Sequence, residues 1–494
     1  MSINYKEKAI LGIYWMSFMS ISNIVMKLLI TMVLSRLLSS YEFGVVAAIQ
    51  IVISFADIFW MLGVGAAIVQ KKVLSNDDIT TGNTLNITFG LSIYALIFVF
   101  ASAIANFIGL DNIVMLRVLA VVFVIHSISG VSESLLQKEM DFKSIGIINI
   151  LALFFYGISA SLLALLNFGV WSLIIAQLLQ VLVKTILSLF RRPIKITLAI
   201  KKKSAKELMY FGTGFTLSKV FNNIANQGDY FVVNRTLGVS ALGFYNRSYQ
   251  LLMIPTNIIG TVMDQVLFPL LSKYQEVNEK LRYVFFNINS LIALIAFPVT
   301  IISLIMSTEL VHIVLGNKWD STIVPFRILI ISLFFRMAYK ICDSLVRSLG
   351  AVYKRLWIQI IYAITIITGA FMGKEWGING VAAAVTTAII INYILMTLLI
   401  MHMIKFKITS LLSYLLPIII VSGLIGGLSY LISPLIMNVS GAFLRLVLMT
   451  LFVILLYFMS FKYIIIRILP KDFKEFIATI IETTLKKIKL RKTK

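Results

Sequence analysis

Apolar runs recur along the whole chain, each closed by a short polar or basic segment. A helix needs ~20 residues, rising ~1.5 Å each, to cross a bilayer. By that measure the pattern predicts fourteen spans: 12–34, 44–66, 83–106, 113–136, 145–166, 170–190, 208–233, 242–269, 285–307, 322–346, 356–373, 377–401, 411–433 and 442–464. Beyond the last run, Phe473, Phe476, Ile477, Ile480, Ile481 and Leu485 recur at helical spacing among basic residues. That pattern predicts an amphipathic helix on the membrane surface.

One span departs from the others. Met209 to Val233 is long enough to cross, yet Lys219, Asn222, Asn223, Asn226 and Gln227 follow i, i+3, i+4, i+7, i+8. On a helix they share one face, and Phe, Leu, Val and Ile occupy the other. A charge at the bilayer centre is costly, about 2.5–3.5 kcal/mol on insertion scales. Lys219 therefore needs a wet cavity or a partner, so the stripe is either a seam between helices or a cavity wall.

Composition agrees with a membrane protein. The 494 residues are 60% hydrophobic and 13% charged, against ~25% charged in soluble domains. The net charge of +23 falls in short clusters between apolar runs, which excludes nucleic acid as its reason. Placing the N-terminus in the cytoplasm puts most of the lysines and arginines on inner connections, including seven between Arg191 and Lys206. The outer connections carry only Arg36, Arg235, Lys318 and Lys374. The positive-inside rule then predicts both termini in the cytoplasm. The N-terminal apolar run continues to Leu34 without a small-residue cleavage site, so it reads as a retained first span. Cys342 alone permits no intrachain disulfide, and His126, His312 and His402 lack ligand spacing. No metal or cofactor is expected, and no stretch shows paired catalytic carboxylates, a phosphate-cradling glycine loop or a nucleophile elbow.

The chain repeats itself. Arg36-Leu37-Leu38 with Gly44 echoes Arg235-Thr236-Leu237 with Gly243; 235 − 36 and 243 − 44 both give 199. Glu133-Ser134-Leu135-Leu136 echoes Asp343-Ser344-Leu345-Val346, and Phe168-Gly169-Val170 echoes Trp376-Gly377-Ile378. Six spans per copy bring the chain back to the same side, so the copies share orientation about an axis along the membrane normal. The expected fold is all-α integral membrane, with two six-helix lobes in parallel pseudo-twofold repeat plus two appended helices. The expected boundaries are an N-lobe at 1–190, a basic cytoplasmic linker at 191–207 and a C-lobe at 208–402. Appended spans follow at 403–465, then a basic amphipathic tail at 466–494.

The run from Ser35 to Lys72 resembles the signature of polysaccharide exporters of the MOP flippase superfamily, in the Wzx-like branch of colanic acid and teichuronic acid exporters. Arg36, Leu37, Leu38, Phe43, Gly44, Leu62, Gly63, Ala67, Ile68, Val69, Gln70 and Lys71 match. The family's aspartate position holds Met61, and Asp57 stands one turn earlier. Residues 135–143 and 315–320 also look like this family. The resemblance implies a V-shaped pair of six-helix lobes. It also implies export of an undecaprenyl-diphosphate-linked oligosaccharide across the inner membrane by alternating access. Membrane lipid would surround it, and polysaccharide polymerase and assembly proteins would be partners.

Such a substrate needs cations for its diphosphate, amides and hydroxyls for its glycan, and an apolar groove for its tail. The expected substrate-binding set is Lys27, Asp57, Lys219, Asn222, Asn223, Asn226, Arg247, Asp264, Arg336 and Lys340. Lys27 and Asp57 could instead form a structural bridge. Arg247 and Arg347 could snorkel to the surface, and Arg445 could meet lipid headgroups. Asp229 is expected near the outer surface. His126 reads as a packing residue rather than a proton relay. A lipid II flippase or a cation-coupled multidrug exporter of the same superfamily is the alternative reading. A membrane glycosyltransferase or polymerase is disfavoured, because the outer connections are short and poor in carboxylates.

Overall fold

The computed structural model describes residues 5–60, 64–71, 73–195, 199–263, 267, 271 and 274–478, and excludes the side chains of 5–17, 59–60, 66, 210–222, 225, 261–262, 352 and 466. No strand occurs among the described residues. The first half runs through α1 (Tyr5–Leu37), α2 (Ser40–Trp60), α3 (Val64–Gln70), α4 (Asn76–Val99), α5 (Ala101–Ile108), α6 (Ile113–Leu119), α7 (Val121–Lys138), α8 (Phe142–Leu165) and α9 (Val170–Arg191). After the linker come α10 (Lys202–Leu237), α11 (Val239–Val262), α12 (Asn278–Ile305), α13 (Ser307–Val314), α14 (Ile323–Ile330), α15 (Leu333–Ser348), α16 (Val352–Gly373), α17 (Gly377–Ile404), α18 (Ile408–Met437) and α19 (Ala442–Ser460).

Among the described residues, ten helical stretches are long and apolar enough to cross a membrane, or eleven if the pair Asn317–Ile330 and Leu333–Ser348, bent by 50°, is one span. The stretch Tyr353–Ile404 counts once at 52 residues, far beyond the ~20 a bilayer needs. It contains α16 and α17, folded back on each other. A β-carbon on Gly373 would lie 2.5 Å from the Gly380 carbonyl oxygen, and one on Gly369 3.2 Å from Ala384. The expected count of fourteen is not confirmed among the described residues. Polar residues lower the hydropathy of α11, which is not among the ten.

By packing, the chain divides into two compact units. One comprises Met1–Ile254, Val314–Pro325 and Gln359–Val385; the other comprises Pro255–Ile313, Phe326–Ile358 and Thr386–Lys494.

In the first unit, small residues set the helix spacing, as they do where lipid supplies no hydrophobic drive for association. A β-carbon on Gly90 of α4 would come within 2.5 Å of Ser127 Cβ on α7. Gly157 of α8 would meet Ile30 of α1 at 2.6 Å. Two apolar cores result. Val45, Ile49 and Ile53 of α2 pack with Leu116, Leu119, Phe123 and Ile174. Nearer the linker, Val64 and Ile68 pack with Leu85, Val131, Leu135 and Leu208. Helix ends are fixed by polar side chains. Ser75 and Asp78 form a reciprocal capping box on α4, satisfying two otherwise orphaned amides. Asp141 caps α8 by accepting from the Ser144 amide at 3.2 Å.

The echoed segments adopt matching conformations. Gly169 and Gly377, which open α9 and α17, have φ of +53° and +64°, a region that favours glycine. Gly44 and Gly243 meet crosswise where α2 and α11 begin. A β-carbon on Gly44 would overlap the Val239 carbonyl oxygen, and one on Gly243 would overlap the Ser40 carbonyl oxygen. Val239 stands to Ser40 as Gly243 stands to Gly44, since 239 − 40 is again 199. The contact is therefore a two-fold exchange between repeat-related residues.

The 3-10 turn Asn317–Thr322 closes over this contact. Trp319 is fully buried, its ring centroid 5.6 Å from that of Phe43 and 5.7 Å from that of Phe244. Its indole N–H donates to the Ser35 carbonyl at 2.8 Å, and Lys318 donates to the Arg36 carbonyl at 3.0 Å. Two open carbonyls at the end of α1 are thereby satisfied.

In the second unit, stacked aromatics hold α12, α15 and α17 together. The ring centroids of Phe297 and Phe334 are 5.2 Å apart, and those of Phe334 and Tyr393 are 5.7 Å apart.

Replacing Gly44 or Gly243 by valine should therefore destabilise the chain by about 1–3 kcal/mol or more through overpacking. Gly427→Ala should leave it unchanged or slightly stabilised, because open space surrounds that position. Melting temperatures of the purified variants check this; equal values for all three would refute the crosswise contact.

Candidate functional site

The side chains of Lys219 and Asn222 on α10, and residue Asp264, lie outside the described residues. The rest of the α10 stripe is described. Asn223 is half-buried, and its amide nitrogen is buried without a hydrogen-bond partner. Asn226, one turn on, is exposed. An unsatisfied buried amide is costly, and Asn223 keeps an open donor on this face. Helix α10 packs on α2, where Asp57 is exposed. Lys27 is exposed on α1.

Asp229 is buried against neighbouring helices. It is 1% exposed and accepts a hydrogen bond from the Tyr245 hydroxyl at 2.7 Å. Tyr230 meets Tyr245 and Tyr249 edge-on, with centroids 5.6 and 5.5 Å apart. A phenol donor and an aromatic wall let this carboxyl sit inside the bundle.

Arg247 is buried rather than snorkelling. Its guanidinium carbon lies 3.6 Å from the Phe43 ring centroid, a cation–π contact that tolerates desolvation. Its Nη1 donates to Gln250 Oε1, and Gln250 in turn donates to Thr31 Oγ1 of α1 at 3.2 Å. Arg247 Nε has no hydrogen-bond partner. The geometry is that of a cation held in place from two sides with one donor open.

Arg336 and Lys340 are half-buried one turn apart on α15. The Lys340 stem runs past Gly260 of α11; a β-carbon there would lie 3.5 Å from Lys340 Cε. Further along α15, Asp343 bridges Arg347 at 2.9 Å and Arg355 at 2.5 Å. Arg347 is thus an ion-pair partner and does not simply snorkel. Arg445 pairs with Glu309 at 3.2 Å, not with headgroups. Glu309 is only 4% exposed, and the Arg445 guanidinium offsets the cost of burying its charge.

A cluster that sequence reasoning passed over lies on α7 and α9. Glu133 accepts from Lys184 at 2.7 Å and contacts His126 Nε2 at 3.1 Å, with Ser129 donating at 3.1 Å. The available signals were the i, i+7 spacing of His126 and Glu133, and an intramembrane lysine at 184. His126 is satisfied, but by an ion cluster rather than by packing.

The basic connections are taken up locally. Lys71 bridges Asp78 and Glu207, each at 2.8 Å. The hydrogen bonds to Asp78 and Glu207 hold its ammonium above the usual lysine range. Lys138 donates to the Ile68 carbonyl at 3.1 Å, near the end of α3. Arg191 pairs with Asp141 at 3.1 Å, and Arg192 with Glu139 at 2.8 Å. Burial pushes the Asp141 carboxyl up, but hydrogen bonds from Ser144 and the Arg191 charge outweigh it and leave it depressed. Among the described residues, no cluster of three or more His, Cys, Asp or Glu could hold a metal.

Polar faces and buried charges inside apolar helices are the build of a membrane transporter, and known structures give the fold. The chain covers 98% of the lipid II flippase MurJ in an inward closed conformation, using 91% of its own length, with a TM-score of 0.75 and 15% identity. The protein is an integral membrane protein of that transporter fold. More narrowly, it belongs to the polysaccharide biosynthesis protein family, which it matches over residues 33–324. The lipopolysaccharide biosynthesis protein WzxC of Escherichia coli (strain K12) is 25% identical over 80% of this chain and 81% of its own. The teichuronic acid biosynthesis protein TuaB of Bacillus subtilis (strain 168) is 25% identical over 72% and 74%. The exporter resemblance read from Arg36 onward is borne out.

A pH prediction follows from Asp141. Its carboxylate stabilises the fold above the usual carboxylate pKa of ~3.9, and that contribution is lost as pH falls through its depressed folded value. Asp141→Asn keeps the cap acceptor but loses the charge contact with Arg191, so it should lower the melting temperature slightly at pH 7, by the equivalent of about 0.2–1 kcal/mol. The gap to wild type should close at acid pH. A gap that does not change with pH would disprove the charge role.

Proposed function

We propose that the protein is a flippase. It carries undecaprenyl-diphosphate-linked oligosaccharide units across the bacterial cytoplasmic membrane for surface polysaccharide assembly, and it transports rather than catalyses. The observation that carries this reading is family membership across residues 33–324, together with relatives named for lipopolysaccharide and teichuronic acid biosynthesis. The transporter fold supports movement of cargo. A lipid II flippase is the second reading, favoured by the fold likeness to MurJ. The relatives at 25% identity work on other glycans and weigh against it.

In the proposed cycle, lobes 1–190 and 208–402 rock about a cavity, opening it alternately to each side. Spans thirteen and fourteen accompany the second lobe, and both termini lie in the cytoplasm. Lys27, Lys219, Arg336 and Lys340 meet the diphosphate, since charge-assisted hydrogen bonds are the strong ones. Asp57, Asn222, Asn223, Asn226, Arg247 and Asp264 meet the glycan. The open donors on Asn223 and Arg247 support that assignment. A polysaccharide polymerase takes up the delivered units.

The test is surface polysaccharide in a strain lacking the native gene. The chain should restore it, and without the chain lipid-linked units should accumulate inside. Restored growth of a strain lacking its lipid II flippase, with no surface polysaccharide, would instead establish the second reading. Lys219→Ala should abolish export at normal membrane abundance, because a lost charge-assisted contact weakens capture by about 1.5–3 kcal/mol. Lys219→Arg should keep part of the activity. Normal export by Lys219→Ala would remove that residue from the site.

A further inference from the structure

Helices α7, α8 and α9 enclose a cavity of about 300 Å³ at the end of the bundle next to the linker. It lies wholly inside the first unit. None of the ten substrate-binding candidates lines it. Its polar wall is Glu133 and Gln137 of α7, Asn149 of α8, and Lys184 and Ser188 of α9. Ser134, Phe142 and the aliphatic side chains of α7 and α8 form the remainder.

Three features specify an occupant. The first is an unsatisfied group. Ser188 is 1% exposed, and its hydroxyl has no hydrogen-bond partner, although its carbonyl accepts from Ser132 at 2.8 Å. Serines inside helices ordinarily return their hydroxyl to a carbonyl one turn back. Ser134, across the same cavity, does so toward Gly130 at 2.8 Å. Ser188 does not, and its oxygen stays buried and unsatisfied beside the pocket.

The second feature is charge balance. The cavity's one carboxylate and one ammonium face each other at 2.7 Å. A cation would find the carboxylate already engaged, and an anion would find the ammonium already engaged. The third is the mixture of groups. Gln137 and Asn149 each bring an amide donor and acceptor, Ser188 a hydroxyl, Glu133 an acceptor and Lys184 a donor. A ligand that both donates and accepts at several points, without net charge, matches that set. The apolar wall takes its C–H face. The volume is at the lower end for small-molecule sites, on the scale of one or two sugar rings.

We infer that the α7–α8–α9 cavity binds a neutral pyranose through Asn149, Ser188 and the Glu133–Lys184 pair. The sugar is either a unit of the lipid-linked cargo or a free sugar. The cargo arm rests on the flippase reading; the binding arm does not.

The binding arm uses the purified full chain in detergent. It is titrated with glucose, galactose, mannose and N-acetylglucosamine, and with glucuronate and inorganic diphosphate as charged controls. Calorimetry should show saturable binding of at least one neutral sugar, and weaker or no binding of both controls. Asn149→Leu and Ser188→Val should each weaken that sugar tenfold or more. Gln137→Ala, at an exposed position, should weaken it with the least risk to folding. Melting temperatures identify any variant that fails to fold. No binding of any neutral sugar, tighter binding of a control, or unchanged binding in all folded variants overturns the site. The cargo arm measures surface polysaccharide in the complemented strain. Reduced export by the binding-deficient variants places the sugar on the cargo. Full export with binding lost assigns the site to a free sugar. If the wild-type chain restores no polysaccharide, the flippase reading fails while the calorimetric result stands by itself.

Discussion

Two peptide carbonyls, on Ser40 and Val239, lie where the β-carbons of Gly243 and Gly44 would otherwise be. Backbone against backbone is the closest approach two helices can make, and dispersion forces at that range replace the hydrophobic drive that lipid removes. The rest of the architecture at that end follows from it. Because α2 and α11 nearly touch, Phe43 comes within reach of Arg247 and Trp319 can lie against both Phe43 and Phe244. The indole is then placed to cap the end of α1. A single methyl group at either glycine would push apart elements that are distant in sequence.

Inside this frame, charges follow two rules. Some are neutralised in place. Asp343 holds two arginines, Glu309 holds Arg445, and Glu133 holds Lys184. Removing one partner of such a pair strands the other, at about 3–5 kcal/mol where it is buried. Others keep open valence: Arg247 retains a free Nε–H, and Asn223 retains a free amide. The first class carries structure. The second is where a polar cargo gains hydrogen bonds without displacing a protein partner, which favours capture followed by release.

Much of this was legible in the chain. Periodicity showed the helices, and the echo between Arg36–Gly44 and Arg235–Gly243 marked two residues whose backbones meet crosswise. The family signature was readable from the same stretch. What escaped was the far side of each contact. The partner of Asp229 was not readable, because its position along α10 says nothing about Tyr245 closing over it. Arg445 looked like a headgroup contact because Glu309 is 136 residues away. The α7–α9 cluster escaped because His126, Glu133 and Lys184 come from two helices whose facing sides periodicity does not define.

The sequence by itself determined that the chain is helical, membrane-embedded, internally repeated and related to polysaccharide exporters. These are properties of apolar run length, residue spacing and local motif, and each is encoded within a few tens of residues. Tertiary structure decided which charges are spent and which are open, and which glycines are contacts rather than mere flexibility. It also decided that a serine on α9 keeps its buried hydroxyl unsatisfied beside a pocket. The physical reason is that a helix pattern records only which face is polar. Whether that face meets a partner, a cavity or lipid depends on helices far away in the chain, and only packing brings them together.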